Sequence, residues 1–432
     1  MKTKKNPSSK RRRMSPMWAI LTVLFAVSCH ERSFWDPETK NPNTLKYEEI
    51  KPGTFVGEYA GAKWQLSLPD PIIWNSLPHR YLLFYAHGIV DPVPFEEIAL
   101  PDDNIGGRSV EDILNDKGIG YASTSYRDNG LVVLEAVEDM KNLVDLTRLF
   151  FRVHPNYFFP DTLFIGGPSE GGLVTVKTIE KYGHLFDGAI SICAPIGNFQ
   201  DQLQYNGDFH VLFNYFFGAE LSSYGVDLGN PRDGVHPDIM NAWKFGRLQD
   251  LIILLMQTYP ERVPQLLITA KATVDFTNEL AMGTAVLELL RFNIMMTNDV
   301  RNRMRGVPYN NKNTVYFGSL NDRLLNENVQ RIDERDYQRV KNNIMKYETS
   351  GKLINLPLAT IHTTGDYVIP YWHEELYPLK IFPARNRYLH KSIPVVNFGH
   401  CTITEENIEE ALAFLTGRTI AVSEVPMDEM EY

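Results

Sequence analysis

The chain reads as an α/β protein, a mostly parallel sheet flanked by helices, with a long helical stretch inserted before its last two strands. Three observations predict this. Short apolar runs alternate with helix-periodic ones from Trp64 to Cys193. The alternation stops between Gly197 and Leu356, where only helical patterns occur, and it resumes at Pro357. A β-α alternation implies parallel strands with helices on both faces. A parallel crossover needs only a dozen or so residues, so the stretch 197–356 is expected to be a helical cap.

Taken in order, Lys2, Lys4, Lys5, Lys10 and Arg11 to Arg13 precede an apolar segment from Met17 to Val27 with no acid inside it. That pattern is a secretory signal over residues 1–28. The apolar part is shorter than the ~20 residues a spanning helix needs. Ala26-Val27-Ser28-Cys29 resembles the lipobox of bacterial lipoproteins, in which the cysteine is lipidated. Ala26 stands where that motif usually has leucine, so cleavage without lipidation remains the alternative. The resemblance, with His30 after the cysteine, implies an exported protein tethered to the outer membrane or facing the periplasm. Membrane contact is then expected only through the lipid on Cys29.

Removing 1–28 takes away seven basic residues and no acidic one, leaving 36 basic against 53 acidic, a net charge of −17. Such a surface repels nucleic acid and anionic membranes. The remaining segments are expected as a tether over 29–52, core over 53–196, cap over 197–356, core again over 357–417 and a tail over 418–432. Within the core, strands are expected at Trp64–Leu68, Tyr81–Ala86, Gly120–Ser125, Thr162–Ile165, Gly188–Cys193, Pro357–Ile361 and Ile393–Val396. Helices are expected at Val110–Asn115, along the Val133/Val137/Met140/Val144 face, from Ser169 to about Tyr182, and from Glu405 to about Leu415. Thr402 and Glu405 are spaced as a capping box for the last of these. In the cap, helical patterns run over Leu251–Met256, Glu279–Met296 and Asp333–Tyr347.

Gly167-Pro168-Ser169-Glu170-Gly171 falls where the Thr162–Ile165 run gives way to a helix. Gly167 and Gly171 permit a sharp turn that lifts the serine hydroxyl off the sheet. A hydroxyl needs a base to take its proton, and the base needs an acid to hold its tautomer. Asp366 follows the Pro357–Ile361 strand in a Gly-Asp turn, and His400 follows the Ile393–Val396 strand in a Gly-His turn. His373 is a competing base and Asp91 a competing acid; His362 is expected to be structural. His373-Glu374 lacks the second histidine of a zinc helix, so no metal is expected.

With the His87-Gly88 turn after the Tyr81–Ala86 strand, the Ser169 turn, the Gly-Asp turn and the Gly-His turn, and with the chain order Ser169, Asp366, His400, the sequence resembles an α/β-hydrolase from about Trp64 to Leu415. The resemblance implies that His87-Gly88-Ile89 is an oxyanion turn. The backbone N–H groups of Ile89 and Glu170 would then be the donors, and His87 a brace for the turn. It further implies a serine hydrolase that cleaves carboxylic esters without a cofactor, on a small-molecule or lipid-like ester. A capped serine exopeptidase is the alternative enzyme, and an inactive tethered binding protein the alternative class. The short stretch between Cys29 and Trp64 disfavours the propeller-bearing prolyl-oligopeptidase form of that alternative, but not a capped aminopeptidase. Tannase-like and feruloyl-esterase-like enzymes join a cysteine beside the histidine to one beside the nucleophile. Cys401 resembles the first half, but Pro168 occupies the second. A Cys193–Cys401 disulfide and a pair of buried thiols both stay open. The cap's apolar residues, Phe209, Phe213, Tyr215, Phe216 and Phe217 with Leu287, Leu290, Phe292, Ile294 and Met295, are expected to form its own core or an apolar channel.

Overall fold

The computed structural model describes residues 45–417 apart from 335, 336, 354, 355, 382 and 383. The expected signal segment, Cys29, most of the tether and the tail lie outside the described residues. Nine strands form one sheet in the order β1-β2-β3-β7-β4-β8-β9-β10-β11. They are β1 (Glu48–Lys51), β2 (Thr54–Tyr59), β3 (Ala62–Ser67), β4 (Tyr81–Tyr85), β7 (Ile119–Thr124), β8 (Thr162–Pro168), β9 (Gly188–Ile192), β10 (Leu358–Gly365) and β11 (His390–Phe398). A two-residue hairpin, β5 (Asn104–Ile105) with β6 (Arg108–Ser109), stands apart. β1, β2 and β3 are antiparallel and join β7 antiparallel; from β7 onward every pairing is parallel.

The parallel strands are buried on both faces, which is why they read as unbroken apolar runs rather than as an alternation. Side chains still alternate between faces. Leu82, Phe84, Ile165 and Ala189 point into the layer that holds α3 (Val133–Val153) and α4 (Glu170–Tyr182). Leu83, Tyr85, Phe164 and Ile190 point into the layer of α2 (Val110–Asp116) and α13 (Glu405–Thr416). Fully burying one such aliphatic or aromatic side chain stabilises by about 1.5–3 kcal/mol.

Two expectations at the edges need correction. β1 lies inside the segment expected to be tether, and β2 precedes the first expected strand. All four residues of β1 are exposed, so this edge strand carries no hydrophobic pattern to read. The last helix is capped two residues later than expected: the Thr404 N–H donates to Asn407 Oδ1 at 3.0 Å. Thr402 instead donates its N–H to Thr363 Oγ1 at 3.1 Å, tying the loop after β11 to β10.

Between β9 and β10 the described residues hold helices α5 (Phe199–Ser223), α6 (Pro237–Lys244), α7 (Arg247–Thr258), α8 (Arg262–Thr269), α9 (Glu279–Met304), α10 (Asp322–Asn328) and α11 (Tyr337–Ile344). Phe209, Phe213, Phe216, Phe217, Leu290, Ile294 and Met295 are buried among one another there, with Tyr215, Leu287 and Phe292 packed against them. That cluster also takes in Tyr367, Val368 and Ile369 from the turn after β10. α12 (Trp372–Lys380) follows that turn, and a six-residue helix, α1 (Pro71–Ser76), precedes β4.

Candidate active site

Ser169 sits between β8 and α4 with φ 54° and ψ −122°, a backbone region that non-glycine residues avoid and that costs on the order of 1–3 kcal/mol. The surrounding contacts hold it there. Its N–H donates to Ile192 O at 2.7 Å, and its C=O accepts from Gly172 N at 3.1 Å. The flanking glycines let the turn press onto the end of β4: a Cβ on Gly167 would lie 1.8 Å from Ala86 O, and one on Gly171 2.0 Å from the same oxygen. No other residue fits at either position without moving that carbonyl.

His400 Nε2 lies 3.0 Å from Ser169 Oγ, and His400 Nδ1 lies 2.7 Å from Asp366 Oδ2. Asp366 is fully buried. Its other oxygen accepts from the N–H of Val368 at 2.8 Å and of Ile369 at 2.9 Å, so the carboxylate is held by its own turn. Burial alone would lower the His400 pKa, but the Asp366 carboxylate overrides it and raises it to about 9.

Three residues brace this turn, two of which sequence reasoning did not single out. Gln202 Nε2 donates to Val368 O at 2.9 Å, and Tyr205 Oη donates to Tyr367 O at 2.5 Å, both from α5. From within β10, His362 Nε2 lies 2.9 Å from Ile369 O. No local signal marks the first two, because their partners stand more than 160 positions away. His362 is structural, as expected.

His87 is buried, with Nδ1 2.7 Å from Gly88 O and its ring stacked 3.9 Å from that of Tyr126. Burial lowers its pKa, consistent with a neutral brace. A Cβ on Gly88 would lie 3.7 Å from Ser169 Cβ, which sets the turn beside the serine. Among the described residues, neither the Ile89 nor the Glu170 N–H donates a backbone hydrogen bond. The Glu170 carboxyl is buried and accepts from Val132 N at 2.8 Å; burial raises its pKa well above the ordinary range.

The competing assignments fall elsewhere. Asp91 accepts from Arg291 Nη2 at 2.8 Å. His373 Nδ1 accepts from the N–H of Gly197 at 3.0 Å, and its Nε2 lies 2.9 Å from Gln202 Oε1. Cys193 and Cys401 are free thiols. Their sulfurs and an Asp366 oxygen lie within 4.8 Å of one another, and Cys401 Sγ lies 3.8 Å from His400 Nε2. Those three residues are the metal-type cluster found among the described residues, although Asp366 already serves His400 and two backbone donors.

Ser169, Glu170 and Ile89 line a cavity of about 70 Å³, walled on the side of the inserted helices by Phe199, Leu203, Phe292 and Met296. A larger cavity of about 200 Å³ lies on the other face of the sheet, lined by Leu83, Ile105, Val110, Pro168 and Cys401 among others.

The crossover strand order, a serine on a strained strand-to-helix turn, and the chain order serine, aspartate, histidine together define an α/β-hydrolase fold. No family model and no curated protein matches the sequence. Solved structures with a related chain path include an acylaminoacyl peptidase from Pyrococcus horikoshii, at 12% identity and TM-score 0.40 over 88% of this chain and 43% of that one. The chain therefore spans under half the length of that peptidase. Feruloyl esterase B from Aspergillus oryzae follows at 13% and 0.39, covering 81% and 73%. Tannin acyl hydrolase from Aspergillus niger stands at 13% and 0.42, covering 84% and 78%. The fold class rests on the topology and the turn at Ser169, not on these likenesses.

Proposed function

We propose that the chain is a serine hydrolase that cleaves carboxylic esters through an acyl-enzyme on Ser169. The observation that carries this reading is the continuous hydrogen-bonded line from Ser169 Oγ through both nitrogens of His400 to Asp366, with spacings of 3.0 and 2.7 Å. In this scheme Ser169 Oγ attacks the ester carbonyl carbon as its proton passes to His400 Nε2. The oxyanion is received by the N–H groups of Ile89 and Glu170, each such donor being worth roughly 3–4 kcal/mol where one has been removed. Asp366 steadies the imidazolium. His400 then returns the proton to the departing alkoxide. Water, deprotonated by the same nitrogen, attacks the acyl-enzyme and releases the acid. The scheme draws on no cofactor, and its substrate is a small-molecule or lipid-like ester.

The basic-then-apolar N-terminus and Cys29 support export and a lipid tether. Globomycin-sensitive processing of the full chain, with loss of labelling by a palmitate analogue in Cys29→Ala, would test that address. For the chemistry, a fluorophosphonate should label Ser169, and Ser169→Ala should lose both the label and at least 10⁴-fold in aryl-ester turnover while keeping its circular dichroism. Retained turnover would sink the assignment. Side-by-side assay of aryl esters and aminoacyl amides separates this reading from an exopeptidase.

A further inference from the structure

The cavity against Ser169 has a definite orientation. Ser169, Ile89 and Glu170 line it, whereas His400 does not. In an ester bound for attack, the group expelled has to lie beside His400, which protonates it. The group that stays on Ser169 therefore extends into the space lined by the two backbone donors. That space measures about 70 Å³. One water needs at least roughly 10–15 Å³, so a space of this size holds several. Its walls are mostly apolar, with Gln202 and Asn206 from α5 also among them, and one wall is a single stripe of α9: Phe292, Met296 and Val300, spaced four residues apart on one helical face.

α9 cannot drift from this position freely. One turn past the stripe, Arg303 donates through Nη2 to Asp128 Oδ2 at 2.9 Å and to Asn129 O at 3.0 Å, and through Nε to Asp299 Oδ2 at 2.9 Å. Asp299 in turn accepts from Leu131 N at 2.8 Å. The neighbouring Val132 N–H donates to Glu170. The loop 128–132 thus holds α9 on one side and the residue following Ser169 on the other. Arg303 and Asp299 are largely buried while Asp128 is half-exposed, and losing one partner of the buried pair costs more than losing one at the surface.

We propose that this cavity is the acyl pocket and that it admits only short unbranched acyl groups, about acetyl to butyryl, with Met296 and Phe292 setting the limit. The proposal rests on the ester-hydrolase reading and names the substrate class of that site. It applies to the acyl side alone.

The experiment measures kcat/KM of the purified protein for p-nitrophenyl acetate, butyrate and octanoate. The native chain should favour acetate and butyrate over octanoate by at least tenfold. Met296→Ala should raise the octanoate-to-acetate ratio at least tenfold, and Met296→Phe should lower the butyrate-to-acetate ratio, so that one variant widens and the other narrows the same space. Octanoate handled as well as acetate by the native chain, or ratios that neither variant moves, would overturn the pocket assignment and leave the ester reading standing. If no ester turns over but Ser169 is labelled, the ester reading fails. The pocket is then judged by labelling rates with ethyl and octyl fluorophosphonates, which should differ in the native chain and converge in Met296→Ala; equal rates in the native chain would overturn it. Absence of both turnover and labelling overturns both together.

Discussion

The two cavities that flank the turn at Ser169 differ in a way that volume alone misrepresents. The one on the α2/α13 face is nearly three times larger, about 200 Å³ against about 70 Å³. Yet it touches the turn only through Gly167 and Pro168, and the histidine loop through Cys401 and Ile403 rather than His400. The smaller one is lined by Ser169 itself and by both unbonded N–H groups. What separates them is the backbone at Ser169. Its positive φ, imposed by the contacts of Gly167 and Gly171 with the end of β4, ends the strand alternation and presents the serine to the α5/α9 side. Proximity to a strained, hydrogen-bonded serine is a better guide to chemistry than void size.

The comparison can be broken or sharpened by experiment, beginning with the largest expected effect. Asp366→Asn keeps the shape of the turn but removes the charge that holds His400, and should lower kcat by roughly 10³- to 10⁴-fold with little change in KM. A loss under tenfold would mean that the line from Ser169 to Asp366 is not the working one. A pH profile comes next. His400 must be neutral to accept the serine proton, and its pKa stands at about 9. kcat/KM should therefore rise about tenfold per pH unit below that value and level off above it. A plateau already reached at pH 7 would contradict the coupling to Asp366. The same shift has a stability consequence of opposite sign. Because the folded pKa is raised from 6.5 to about 9, the pair's contribution is complete below pH 6.5 and is lost as pH rises through 9. Thermal melts across that window should fall in the native chain and less so in His400→Ala. The smallest effect is expected from Ile105→Trp, which fills the larger cavity from its exposed hairpin. Ester turnover and its chain-length profile should change less than threefold. A selective loss of octanoate turnover would instead make the larger cavity the seat of a chain.

Much of this arrangement is legible locally. The runs that became β4, β7, β8 and β9 are apolar because both their faces are covered, and α3, α4 and α13 carry a single apolar stripe. Gly167 and Gly171 announce the turn, and Asp366 and His400 each follow a strand in a Gly-containing turn. Less legible were the exposed edge strand β1, the helices α6, α8 and α10, and the ends of α11, expected to span Asp333–Tyr347 and found at Tyr337–Ile344. Short helices stabilised by tertiary packing leave a weak periodic signal. Phe292 illustrates a mixed case: expected either in a core or along a channel, it packs against the helical core and also lines the cavity at Ser169.

By itself, the sequence determined the strand and helix periods, the strained turn and the Gly-containing turns that carry Ser169, Asp366 and His400, because each depends on residues within a few positions of one another. Tertiary structure alone decided the 3.0 and 2.7 Å spacings, the bracing of the Asp366 turn by Gln202 and Tyr205, the approach of Cys193 to Cys401, and the placement of Met296 over Ser169. Those relations join segments separated by up to more than 200 residues, and no local pattern encodes a distance that only the packing of the inserted helices on the sheet brings about.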